Sequence, residues 1–80
     1  MTLHSSFLVY PDGDSQETET QLRIDQIVDV NGYPIVGPLP THKMIVYRVQ
    51  KIVKSEDRVE AITRYYLELV TGEELLSLSR

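Results

Sequence analysis

The chain has no cysteine and no tryptophan among its 80 residues, and a single phenylalanine. The missing cysteine excludes disulfide staples and thiolate zinc sites together. Glycine and proline number four each and are scattered singly, so there is neither a glycine-rich phosphate loop nor a low-complexity tract. No apolar run approaches the roughly 18 residues that span a bilayer. The opening Met1-Thr2-Leu3-His4 has no lysine or arginine and no long apolar stretch behind it, unlike a secretory leader. A cytoplasmic protein without membrane association is the expectation.

A basic excess is also lacking, since the net charge is −4. That balance hides a polarity. Residues 1–40 hold Asp12, Asp14, Glu17, Glu19, Asp25 and Asp29 against Arg23 alone. Residues 41–66 hold Lys43, Arg48, Lys51, Lys54, Arg58 and Arg64 against Glu56, Asp57 and Glu60. Such asymmetry steers a partner or a second copy of the chain.

What remains is an ordinary globular composition, 41% apolar and 25% charged, in a length that holds one domain over residues 1–80. A chain this short buries a modest share of its surface, and without staples it has oligomerisation as its remaining support. β-Branched and aromatic residues fill the apolar positions, mostly in alternation. Leu3, Ser5, Phe7 and Val9 make one face of a first strand, closed by a turn at Pro11-Asp12-Gly13. Residues 22–30 read as a second strand with Leu22, Ile24, Val28 and Val30 on one side. Asn31-Gly32 is a tight-turn signal. The segment at 33–36 pairs only at an edge, because Pro34 has no amide proton. Residues 37–40 form a stiff connection.

A long hairpin of residues 43–54 and 59–70 is the clearest element. With Ser55 opposite Val59, the pairs Val53–Ala61, Lys51–Thr63, Val49–Tyr65, Tyr47–Leu67 and Ile45–Leu69 share one largely apolar face. The other face then gathers Arg48, Gln50, Ile52, Lys54, Glu60, Ile62, Arg64 and Tyr66. Residues 73–79 fit either a helix, with Thr71 and Glu74 in a capping box, or a strand turned at Gly72. The Leu-Ser-Leu-Ser alternation favours the strand. Together these elements predict a mainly β fold, a small antiparallel sheet or barrel of four to five strands (SH3-like or reduced OB-like), with a short C-terminal helix as the variant ending.

Catalytic and metal signatures do not emerge. His4 adjoins Ser5 and Ser6, but neighbouring strand residues face opposite ways, and no local motif supplies an orienting acid or an oxyanion hole. His42 reads as a solvated loop residue. An EF-hand opening at Asp12 needs glycine and a bidentate glutamate where the chain has Glu17 and Arg23. The acids Asp12, Asp14, Glu17 and Glu19 are then turn and loop residues. Ile27-Val28-Asp29-Val30-Asn31-Gly32-Tyr33-Pro34 is similar to the strand and turn inside PDZ domains. The carboxylate-binding loop and helices of that family have no counterpart here, so no function follows from it.

A non-enzymatic protein-interaction module is therefore the leading expectation, with no cofactor. It meets a protein partner or a second copy of itself through Arg48, Ile52, Ile62, Arg64 and Tyr66. Arginine and tyrosine are enriched at interface hot spots. The alternative is single-stranded nucleic-acid binding by the same face, with arginines on phosphate and Tyr66 under a base. The acidic pI near 5.0 weighs against it.

Overall fold

A computed structural model of the chain describes residues 3–35, 37 and 45–78. Five strands and one helix follow in order: β1 Leu3–Val9, β2 Ser15–Thr18, β3 Ile27–Asp29, β4 Val46–Glu56, β5 Glu60–Leu69 and α1 Gly72–Leu78. They form one sheet in the order β2-β1-β5-β4-β3, curled into a half-barrel. The mainly β expectation holds. The sheet is mixed rather than wholly antiparallel, because β1 runs parallel to β5 while the other three pairings are antiparallel.

Local chemistry sets the turns. Gly13 takes φ 97° and donates its amide to the Tyr10 carbonyl at 3.0 Å, closing the expected turn between β1 and β2. At the Asn31-Gly32 turn, the Asp29 carboxylate accepts from the amides of Asn31 and Tyr33 at 2.8 and 3.0 Å. Pro34 then bridges to Val28 on the outer side of β3, with Tyr33 and Ile35 making the hydrogen bonds that flank it. The missing proline amide is thus never needed.

Residues 22–30 are not one strand. The backbone turns at Ile24 and Asp25, where Asp25 adopts φ 69°, and only residues 27–29 join the sheet. Leu22 and Val28 are buried, whereas Ile24 and Val30 are exposed. Two core residues on either side of a turn had mimicked strand alternation. Residues 72–78 are helical, against the favoured strand. Glu73 and Glu74 suit the positive end of a helix, and Leu75 packs against Val46 and Val70. That tertiary contact supports a helix too short to stand alone. The expected starting residues of the hairpin at 43–44, His42 and the connection at 38–40 lie outside the described residues.

The hairpin exists in a different register. Glu56 faces Ala61, Ser55 faces Ile62, and Ile52 faces Tyr65. Beyond them Gln50 is left unpaired, and the ladder resumes with Val49 opposite Leu67 and Tyr47 opposite Leu69. Its loop is held by Asp57, whose carboxylate accepts from the amides of Val59 and Glu60, both at 2.8 Å. These bonds favour the charged form and lower the Asp57 pKa. An Asx-type loop thus replaces the glycine turn the sequence lacks.

The main core lies inside the curl, where Leu8, Leu22, Val28, Val49, Tyr65 and Leu67 are buried together. The turn after β3 closes over it. The Tyr10 phenol donates to the Val30 carbonyl at 3.2 Å, and the Gln16 amide to the Asn31 carbonyl at 3.3 Å. Tyr10 also meets Tyr47 edge to face, with centroids 5.2 Å apart. Burial, then the neighbouring Tyr47 and Asp29, push the Tyr10 pKa up. Gly32 is buried where the turn crosses β1, and a Cβ there would strike Leu8 Cδ1.

Gly32→Ala is expected to lose about 2–4 kcal/mol, combining the positive-φ penalty with overpacking against fully buried Leu8. Gly13→Ala meets open space and should lose only the backbone share. Urea unfolding of the two variants distinguishes them, and equal losses would contradict the packing account.

Candidate interaction face

Alternation along paired strands assigns every side chain of the sheet to the inside or outside of the curl. On the outside, β1 presents Leu3, Ser5, Phe7 and Val9. Their partners on parallel β5 are Glu60, Ile62, Arg64 and Tyr66. Across β5, antiparallel β4 places Ser55, Val53 and Lys51 beside Ile62, Arg64 and Tyr66. Three cross-strand rows result: Val9–Tyr66–Lys51, Phe7–Arg64–Val53 and Ser5–Ile62–Ser55. Phe7, Val9, Val53, Ile62 and Tyr66 are half-buried by one another, and Leu3 is 60% exposed.

At one end the outer face is covered. Val46 and Val70 are buried there with Ile27, Ile35 and Leu75, the last from α1. The boundary is marked by Arg48. Its guanidinium donates from Nε to Glu68 Oε1 at 2.7 Å, pairs with the same carboxylate through a second nitrogen, and reaches Glu74 on α1. These bonds raise the Arg48 pKa further and lower that of Glu74, the hydrogen bond being the leading cause in both. Among the described residues, no side chain of α1 or of another element forms a second layer over the three rows.

Four of the five expected contact residues therefore share this face: Arg48, Ile62, Arg64 and Tyr66. Ile52 does not. The unpaired Gln50 reverses the alternation of β4, so Ile52 turns inward and packs on the main core. Lys51 lies over the Tyr66 ring, with Nζ 5.9 Å from the ring centroid, while Arg48 is engaged by two carboxylates. Phe7, Val9, Val53 and Lys51 belong to the face and were missed. The alternation of Leu3, Ser5, Phe7 and Val9 was visible in the sequence, but its neighbour across the sheet was not. Among the described residues no group of three His, Asp or Glu side chains is placed to hold a metal ion. Asp12, one of the loop acids, instead accepts from the Asp14 amide at 3.0 Å. No described helix is long and apolar enough to cross a membrane.

A family model described as "Uncharacterised Treponema protein" matches residues 2–78. The chain belongs to this family. No significant match to it was found among curated proteins or solved structures. The Treponema family description assigns no activity to the outer face.

The Glu74 pKa is depressed below its ordinary 4.5 in the folded chain, so its contribution to stability is present above that value and lost as pH falls through the folded value. Thermal unfolding followed by circular dichroism is expected to show a midpoint that drops below pH 4.5. The drop should be smaller in Glu74→Gln, and an unchanged acid profile in that variant would remove the contact with Arg48 from the account.

Proposed function

We propose that the protein is a non-catalytic interaction module that pairs with a second copy of itself through the outer face of β1, β5 and β4. The observation that carries this reading is a parallel strand pair with apolar side chains on both sides and, among the described residues, a layer over only one of them. Parallel pairs are ordinarily covered on both faces, and domains close their cores with at least two layers. A second sheet packed about 10 Å away, as in aligned sheet sandwiches, completes the arrangement.

Edge pairing is a poorer route to self-association. The β2 edge is four residues long and polar, Ser15 to Thr18, and the β3 edge is capped by the proline segment. Short polar edges and prolines discourage strand addition. The face itself has matching charge. Arg64 sits in the middle row without an ion-pair partner among the described residues, while Glu17 lies opposite Phe7 on β2 and Glu60 opposite Leu3. In a two-fold arrangement the same patch serves both copies, so Arg64 of each copy meets a carboxylate of the other. The proposal keeps the cytoplasmic location expected from the sequence.

Nucleic-acid binding by this face is the weaker alternative. Its engaged Arg48 is neutralised by Glu68 and Glu74, leaving Arg64 and Lys51 as the cations near Tyr66, and phosphate contacts supply most of such affinity.

Sedimentation across a dilution series is expected to show a dimer that dissociates on dilution. Ile62→Lys should shift it to monomer with little change in thermal midpoint, since Ile62 lies outside the main core. A strict monomer at high concentration would end the self-association proposal. Oligonucleotide binding that weakens with salt and with Arg64→Ala would put the alternative in its place.

A further inference from the structure

The inner face of the sheet changes character within two rows. Leu8, Tyr65 and Ile52 form an apolar row across β1, β5 and β4. The next row is Ser6, Thr63 and Lys54, and the one after it His4, Ala61 and Glu56. Both polar rows line a cleft of about 540 Å³ at the open end of the curl, floored by Leu22, Ile52 and Tyr65. That volume is within the range of small-molecule sites, which join an apolar floor to a few convergent polar groups.

The bulge at Gln50 creates this composition. Without it Lys54 and Glu56 would lie on the outside, and the mouth would hold no charge of either sign from β4. Lys54 and Glu56 face the same opening from adjacent rows, yet they do not pair with each other. Among the described residues, no side-chain hydrogen bond engages His4, Ser6, Thr63, Lys54 or Glu56. Ala61, between His4 and Glu56, leaves the centre of the outer row open.

Opposite charges two residues apart, hydroxyls beside the cation and an apolar floor together complement a zwitterion with an apolar side chain. We propose that this cleft binds a free apolar α-amino acid. The ligand carboxylate lies on Lys54 with the Ser6 and Thr63 hydroxyls donating to it. The ammonium lies on Glu56, with the His4 imidazole at the rim, and the side chain covers Leu22, Ile52 and Tyr65. The residues assigned to the ligand lie on the inner face, while Ser5, Ile62 and Ser55 of the outer row also border the cleft at its rim.

The test is titration of the ¹⁵N-labelled full chain with leucine, 4-methylpentanoate (no ammonium) and isoamylamine (no carboxylate), followed by amide NMR shifts. Leucine is expected to give saturable shifts at Ser6, Ala61 and Thr63, with each analogue bound about tenfold or more weakly, the scale of a lost charge-assisted contact. Lys54→Gln should reduce binding of leucine and 4-methylpentanoate but not of isoamylamine, and Glu56→Gln the reverse pair. Both positions are exposed, so the variants should keep the wild-type spectrum away from the cleft. Absence of saturable shifts with leucine overturns the proposal, and so does equal affinity for 4-methylpentanoate, which would make the cleft a simple carboxylate site.

Discussion

A single unpaired residue, Gln50, stands between two registers of the β4–β5 ladder. Below it Val49 and Tyr47 point inward, and above it Ile52 does so against the core, with Lys54 and Glu56 inward at the open end. The backbone of Val49 is held at this point from the other side, donating to Gln26 and accepting from Asp25 at 2.9 and 2.8 Å. A bulge bends its strand and sharpens the local twist. That bend lets the five-stranded sheet curl around one core, and it decides the composition of both faces at once. With Gln50 accommodated, Lys51 leaves the inside and Ile52 enters it.

The inner core needs no polar partner: among the described residues no buried polar side-chain atom lacks a hydrogen bond, and none of the buried side chains is polar or charged. Polar work is done at the margins instead. Asp29 and Asp57 hold turns, Tyr10 and Gln16 tie β1 and β2 to the turn after β3, and Arg48 ties the sheet to α1. Each of these contacts orders a segment whose own apolar content is slight, so the small core is extended by directional bonds rather than by area.

The fold class, the first turn, the Asn31-Gly32 turn and the edge role of Pro34 were all legible in the sequence, because each depends on chemistry within a few residues. The register of the hairpin was not. Strict alternation left Lys51 among core residues and Ile52 among charged ones, two local inconsistencies that one inserted residue removes together. That paired conflict was the available signal for the bulge. The parallel docking of β1 on β5 has no comparable mark, since it joins positions 57 residues apart in sequence, as with Leu3 and Glu60. For the outer face this meant that Arg48, Ile62, Arg64 and Tyr66 were identified from β4 and β5 alone, while Phe7 and Val9 were assigned to a strand without a place. The helix at residues 72–78 was obscured by serines spaced as in a strand, and Leu75 reveals its role only once Val46 and Val70 are beside it.

The position of β1 also fixes the order in which the molecule is assembled. The β4–β5 hairpin is local and closes through a short loop, whereas β1 must wait for β5, because the strand it abuts is the last one in the chain. Closing so long a loop costs entropy before any contact returns it, and such topologies fold slowly. During synthesis Leu8 and its neighbours remain uncovered until residues 60–69 have emerged. The N-terminal hairpin is therefore the part of the nascent chain most exposed to improper association, and the acids Asp12 and Asp14 of its turn, Glu17 on β2 and Glu19 just after it surround it with like charge during that interval.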